Sequence, residues 1–196
     1  MIMIISRTQL REYLNQDALA CKRVGIRPKL IGDEIWKFQY SMRQLDYQFN
    51  RSDKSFFTKP VLAYWKVKNH RLAVKLGFSI SHMAVIGKGF SIAHYGPIVI
   101  NSAAVIGDNC RIHEGVCIGA TNGSGKAPRI GNNVFIATGA KIIGDLTIAD
   151  DVAIGANAVV IRDIGSPGTT WGGIPARQVS DSNSHSNLSP LLRLDG

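Results

Sequence analysis

Residues 85–119 read VIGKGFSIAHYGPIVINSAAVIGDNCRIHEGVCIG, and this stretch decides the fold. An aliphatic side chain returns every six positions: Ile86 and Ile92, then, after two extra residues, Ile100, Ile106, Ile112 and Ile118. The series runs on through Ser124, Ile130, Ile136, Ile142, Ile148 and Ile154 to Val160, so twelve of thirteen positions are aliphatic. Aliphatics make up roughly a third of this region, and chance phasing would give about four matches. A second small or aliphatic residue stands four positions after most of these, as at Ala104, Cys110, Val116, Val134, Ala140, Leu146, Val152 and Ala158.

A period of six is too short for a helix pair or a hairpin array and matches the hexapeptide class of parallel β-helix. Two inward side chains per six residues build a narrow apolar column. The glycines that often follow the repeat aliphatic (Gly87, Gly107, Gly119, Gly131, Gly155) are expected to permit tight corners between short strands. Cys110 occupies an inward position and reads as core. The phase is lost in the Gly/Pro-rich stretch IRDIGSPGTTWGGIPARQV, which is expected to close the open end of the column, and residues 179–196 read as a polar, flexible tail.

Upstream of the repeat the period becomes helical. Ser6 with Gln9 forms a capping-box pattern ahead of Leu10, Tyr13, Leu14 and Ala18, which predicts a helix over 7–21. Asp33 is placed to cap a second helix with an apolar stripe of Ile35, Phe38, Met42, Leu45 and Phe49, Lys37 and Arg43 falling elsewhere, and an end near Asn50 to Lys54. A third helix is expected from Pro60 through Leu62, Trp65, Leu72 and Leu76 to a stop at Gly77. Trp36 and Trp65 read as packing residues. The division is thus a basic α-helical module over 1–78, a β-helix over 79–178 and the tail over 179–196.

The formal charge of +9 is uneven: residues 1–77 carry 15 Lys/Arg against 6 Asp/Glu, and residues 78–196 carry 8 against 8. Such a patch suits an anionic membrane surface, an acidic substrate or plain solvation. No aromatic-basic interleaving accompanies it, so nucleic acid is not expected. Three cysteines without paired spacing point to free thiols in a reducing compartment. No run approaches the roughly 18 apolar residues of a membrane span, and MIMIIS is too short for a signal-peptide core. A soluble cytoplasmic protein is expected, with peripheral contact at the inner membrane face.

The segments AVIGKGFSIAHYGPIVI, VIGDNCRIHEGVCIGAT, PRIGNNVFIATGAKIIG, DVAIGANAVVI and the closing GGIPAR make residues 78–178 resemble the catalytic domain of the serine acetyltransferases and their relatives in surface-polysaccharide synthesis. The resemblance implies a mainly β fold, a left-handed parallel β-helix of about five eighteen-residue coils behind the helical module. Handedness comes from the resemblance alone, since the general crossover rule favours the opposite hand. It also implies a homotrimer or a dimer of trimers, with acetyl-CoA bound between subunits. The basic N-terminal segment, with RPKLIGDEIWKFQ, resembles the polysaccharide-associated branch.

Acyl transfer from a thioester to a hydroxyl needs a base, oxyanion donors and a held donor molecule. The resemblance makes His94, within SIAHYG, the catalytic base. The family's orienting aspartates fall on Ser79 and Ala93, and its substrate-loop Arg-His pair falls on Lys126 and Ala127, so the charged contacts to a free amino acid are missing. One coil plus the two-residue insertion puts His94 under Glu114, which either accepts a hydrogen bond from the imidazole or is an exposed corner glutamate. Tyr95, His113 and Lys126 are the candidate acceptor contacts, with TNGSGK as a lid. Aligned positions set Ala120, Thr138 and Ala156 along the pantetheine arm. Lys141, Arg162 and Arg177 are phosphate ligands or surface charges, and Trp171 stacks on adenine or packs over the last coil. The three-histidine zinc set of some β-helices is absent, so no metal is expected. The expected reaction is acetylation of a sugar hydroxyl of a capsule, exopolysaccharide or O-antigen precursor; serine O-acetylation is the alternative, and a non-catalytic trimeric scaffold the third.

Overall fold

The computed structural model describes residues 4–51, 58–121, 125–192 and 194. Three helices, α1 (Arg7–Ala20), α2 (Glu34–Asn50) and α3 (Thr58–Leu76), precede a parallel left-handed β-solenoid of about five turns. Its first face stacks Val85–Ile86, Val105–Ile106, Arg129–Ile130 and Thr147–Ile148. The second stacks Ser91–Ile92, Arg111–Ile112, Phe135–Ile136 and Ala153–Ile154, then Thr170–Gly172 with Arg177–Ser180 antiparallel beside it. The third stacks Phe78–Ile80, Ile98–Ile100, Cys117–Gly119, Lys141–Ile143 and Val159–Val160.

The repeat aliphatics pair rung over rung, as in Ile92 with Ile112, Ile112 with Ile136 and Ile136 with Ile154. Ile106, Ile112, Ile118, Ile136, Ile142 and Ile148 are fully buried, each worth about 1.5–3 kcal/mol of transfer free energy. Cys110 lies wholly inside this core. Ser124 falls outside the described residues; Ile106 pairs directly with Ile130, so this interval between first-face rungs is 24 residues.

The glycines divide by physical role. At Gly107 a Cβ would stand 2.6 Å from the Gly131 carbonyl oxygen, so glycine after the repeat aliphatic permits close stacking of successive coils rather than a corner. The corners themselves use left-handed backbone, as at Gly139 (φ +73°), where a side chain would also strike Asn157.

The helical module closes the lower edge of the solenoid. Backbone groups of the first coil have no coil beneath them and need other partners. Gln39 of α2 donates to the Phe90 carbonyl (2.7 Å) and accepts from the Ile92 N–H (3.3 Å). Arg43, expected off the apolar stripe, is 2 % exposed and central: it pairs with Asp17 (2.7 and 3.1 Å) and donates to the Ile86 and Gly87 carbonyls (2.7 and 2.6 Å). Asp17 in turn accepts from the Phe90 N–H at 3.0 Å. Phe38, Met42 and Leu76 complete the seal by joining the solenoid core.

Ser6 and Gln9 form the capping box on α1. Asp33 precedes α2 in a left-handed conformation and makes no cap bond; its carboxylate is taken by Arg23 and the Lys29 N–H. Phe49 leaves the stripe for solvent and meets the His82 ring. α2 ends at Asn50, and Lys54 lies outside the described residues. Trp36 is buried with its indole N–H on the Ile26 carbonyl, and Trp65 packs on Tyr40 and Tyr64. The tail differs from its polar composition: Leu188 and Leu192 are buried against Ala20 and Phe135, Ser189 donates to the Leu19 carbonyl at 2.7 Å, and His185 meets Asp151 at 2.7 Å. Two leucines spaced to reach one apolar patch suffice to seat it.

Candidate active site

The corner between the second and third faces carries one side chain per coil, two residues beyond each inward isoleucine. The rungs are His94, Glu114, Thr138 and Ala156, fixed by the pairing of Ile92, Ile112, Ile136 and Ile154. Successive rungs are about 4.8 Å apart, so the ladder climbs roughly 14 Å. The two-residue insertion follows His94, and the corner segment is tied down by Gly96 N–H on the Leu76 carbonyl (3.3 Å) and Ile98 N–H on the Gly77 carbonyl (3.2 Å).

His94 is exposed, its ring 5.2 Å from that of His113 and nearly perpendicular to it; His113 meets Phe135 in the same way at 5.2 Å. Ligand atoms of His94, His113 and Glu114 lie within 4.8 Å of one another. Glu114 accepts a 2.6 Å hydrogen bond from the Thr138 hydroxyl, while its second oxygen and His113 Nε2 are buried without partners among the described residues. Of the two readings of Glu114, a hydrogen bond to His94 is not made among the described residues; the carboxylate bonds Thr138 instead.

The Thr138 hydroxyl, then the Glu114 N–H and the two imidazoles, hold the Glu114 carboxyl below the usual carboxylate range. Burial, then the positive charge of Arg111 and the neighbouring His94, hold His113 below the usual imidazole range against the pull of Glu114. Near neutrality the site thus sets an ionised carboxylate and an uncharged imidazole beside the exposed His94.

The other expected residues separate into groups. Tyr95 is exposed next to His94. Lys126 pairs with Asp145 at 2.7 Å on the surface, and Ala127 is buried. Asn122 to Ser124 of the expected lid lie outside the described residues. Lys141 reaches the Gly115 carbonyl, one residue from Glu114. Ala120 follows the third-face strand Cys117–Gly119 and so belongs to a different corner from Thr138 and Ala156. Arg162, Trp171 and Arg177 line one cavity of about 230 Å³ at the upper end of the solenoid, and the Trp171 indole donates to Thr169 at 2.9 Å. Arg111 and Phe135 flank the site without having been legible in the sequence; their outward direction, one residue before an inward isoleucine, is the signal that finds them.

Away from this corner, Leu30, Tyr40, Tyr64, Val67 and Leu72 line a cleft of about 890 Å³ between α2, α3 and the preceding loop, with Lys29, Lys37, Lys68 and Arg71 among them. Among the described residues no helix is long and apolar enough to cross a membrane.

Residues 127–162 match the family described as bacterial transferase hexapeptide (six repeats). The serine acetyltransferase of Synechococcus elongatus is 39 % identical over 116 residues, covering 58 % of this chain and 47 % of that protein. That of Helicobacter pylori is 42 % identical over 98 residues, covering 49 % and 57 %. The chain spans about half the length of the curated relatives it matches. Soybean serine acetyltransferase superposes with a TM-score of 0.71 at 28 % identity, covering 88 % of this chain and 69 % of that one. The Brucella abortus serine acetyltransferase solved with coenzyme A gives 0.71 at 20 % identity over 90 % and 70 %, a likeness of fold. Residues 127–162 thus carry the hexapeptide repeat, and the solenoid is similar in sequence and in fold to those of the serine acetyltransferases.

Proposed function

We propose that the protein is an acetyl-CoA-dependent O-acetyltransferase that acetylates L-serine, with His94 as the base. The observation that carries the transferase reading is the ladder: an exposed imidazole at its foot, an ionised Glu114 on the next rung, and the small Thr138 and Ala156 above. His94 takes the proton of the acceptor hydroxyl as its oxygen attacks the thioester carbonyl. The C–S bond then breaks, and the CoA thiolate leaves and recovers the proton from the imidazolium. A coenzyme A arm laid up the ladder would run toward the cavity of Arg162, Trp171 and Arg177, where two guanidiniums and an indole suit phosphates and an adenine. Ala120, on another corner, would meet that arm from a second copy, which agrees with a trimer having its sites between subunits. Serine is the acceptor that the relatives' names favour over a saccharide.

A saccharide hydroxyl is the second reading, and a specific observation favours it. Ser79 and Ala93 carry no charge, Ala127 is buried and Lys126 is engaged by Asp145, so the positions aligned with the family's amino-acid contacts supply little for an ammonium or carboxylate. Leu30 and Ile31, 94 % and 87 % exposed, project beside the basic cleft, which would suit contact with an anionic membrane carrying lipid-linked precursors.

The test is release of CoA thiol from acetyl-CoA with L-serine and with a panel of sugars. Turnover of serine that falls roughly 100-fold or more in His94→Ala, with acetyl-CoA affinity retained, is the expected outcome. Near-normal turnover in a folded His94→Ala protein would sink the mechanism, and efficient acetylation of a sugar with serine inert would replace the acceptor.

A further inference from the structure

A cavity of about 170 Å³ lies between the end of α1 and the second face, lined by Cys21, Lys22, Ser91, Ala93 and Arg111 among others. It is smaller than the roughly 300–1,000 Å³ of whole-ligand pockets and fits a single charged head group. Ala93 places it directly beside His94, and Arg111 shares the outer face with His113, two residues or about 6.6 Å along the same strand direction.

Arg111 is the unusual feature. Its guanidinium stays charged at any physiological pH. It is half-buried, its Nε is shielded from solvent with no partner, and no hydrogen bond or ion pair of its side chain is found among the described residues. A partly desolvated cation without a counter-ion is costly, and an anion taken from solution relieves that cost. Among the described residues no acid pairs with it. Asp17, the buried carboxylate of α1, is held by Arg43, and burial pushes the Cys21 thiol up to about 12, so it stays uncharged. Lys22 adds a second cation at the rim. The positive charge of Arg111 is felt at the active site, where it helps keep His113 neutral.

We propose that Arg111, with Lys22, forms an anion subsite beside His94 that holds the carboxylate or phosphate group of the acetyl acceptor. The assignment rests on the transferase reading above and narrows it: the acceptor is an anionic hydroxyl compound, an amino acid or a sugar phosphate. The charge missing at Ala127 is then supplied from the second face of the solenoid.

The experiment uses the full chain and the variants Arg111→Gln and Arg111→Lys, which remove or keep a charge that no described group needs for folding. Calorimetric titration with inorganic phosphate should show saturable binding, at least 10-fold weaker in Arg111→Gln and intermediate in Arg111→Lys. In the transferase assay Arg111→Gln should raise the acceptor KM roughly 10- to 100-fold, the scale of one charge-assisted hydrogen bond, with the acetyl-CoA KM unmoved. L-serine compared with L-serinamide reads the carboxylate source, and a hexose 1-phosphate compared with the free hexose reads the phosphate source. Phosphate binding that is absent, or indifferent to Arg111, overturns the subsite. So does equal use of charged and neutral acceptors, or dissociation of the oligomer by Arg111→Gln, which would make a neighbouring copy the anion. Arg111-dependent phosphate binding without acetyl transfer to any acceptor would remove the transferase reading and leave the subsite standing.

Discussion

Replacing Arg43 by Met should cost about 3–5 kcal/mol of stability, the range for leaving a buried charge without its partner. Arg43 and Asp17 are 2 % and 0 % exposed, and the guanidinium makes two bonds to the carboxylate and one each to the Ile86 and Gly87 carbonyls. Methionine fills similar volume but strands the carboxylate and both carbonyls. Removing both charges in Asp17→Leu/Arg43→Met should recover much of the loss, because the stranded carboxylate is gone, leaving the carbonyls and the Phe90 N–H as the residual cost. The pH dependence carries a definite sign. Burial already holds the Asp17 carboxyl above the usual carboxylate range despite Arg43, and without Arg43 it rises further. A raised carboxyl pKa in the folded state costs stability as pH climbs from the unfolded value through the folded one. The deficit of Arg43→Met should therefore be largest near neutrality and narrow as pH falls through the Asp17 pKa. Urea unfolding followed by circular dichroism, at one protein concentration and several pH values, measures all of this. A single-variant cost under about 1 kcal/mol, or a double-variant cost equal to the sum of the two singles, would refute the reasoning.

Glu114→Gln should lower kcat roughly 10- to 100-fold while acetyl-CoA binding persists; the loss stays below the 10⁴ of a fully buried triad aspartate because Glu114 is only partly shielded. Unchanged turnover would make it a structural rung. At pH 8 iodoacetamide should label Cys117 on the half-exposed third face and spare Cys21 and Cys110, whose thiols burial pushes up to about 12; equal labelling of all three in the folded protein would contradict the packing. Cosedimentation with anionic vesicles should exceed that with neutral vesicles at low salt and vanish as salt rises, whereas equal recovery with both would assign the basic cleft to another role.

The solenoid was legible in the sequence because its physics is local: each coil repeats the same demand for an inward aliphatic residue, so a period of six survives without knowledge of any distant contact. The same arithmetic put Glu114 one rung above His94. Where the demand is set by a neighbour far along the chain, the sequence says less. The six-residue phase would set Ile106 against the residue eighteen positions on, yet Ile106 pairs with Ile130. Arg43 looks like a helix-surface cation by its spacing and is buried because the first coil presents unpaired carbonyls to α2. The polar tail hides two leucines whose partner, Phe135, belongs to the third coil. Glu114 turns toward Thr138, a choice that only the stacking of a further coil permits. Composition and period fixed the scaffold and the place of His94; the three-dimensional stacking of coils and helices decided which charges are paired, and so left Arg111 unpaired beside it.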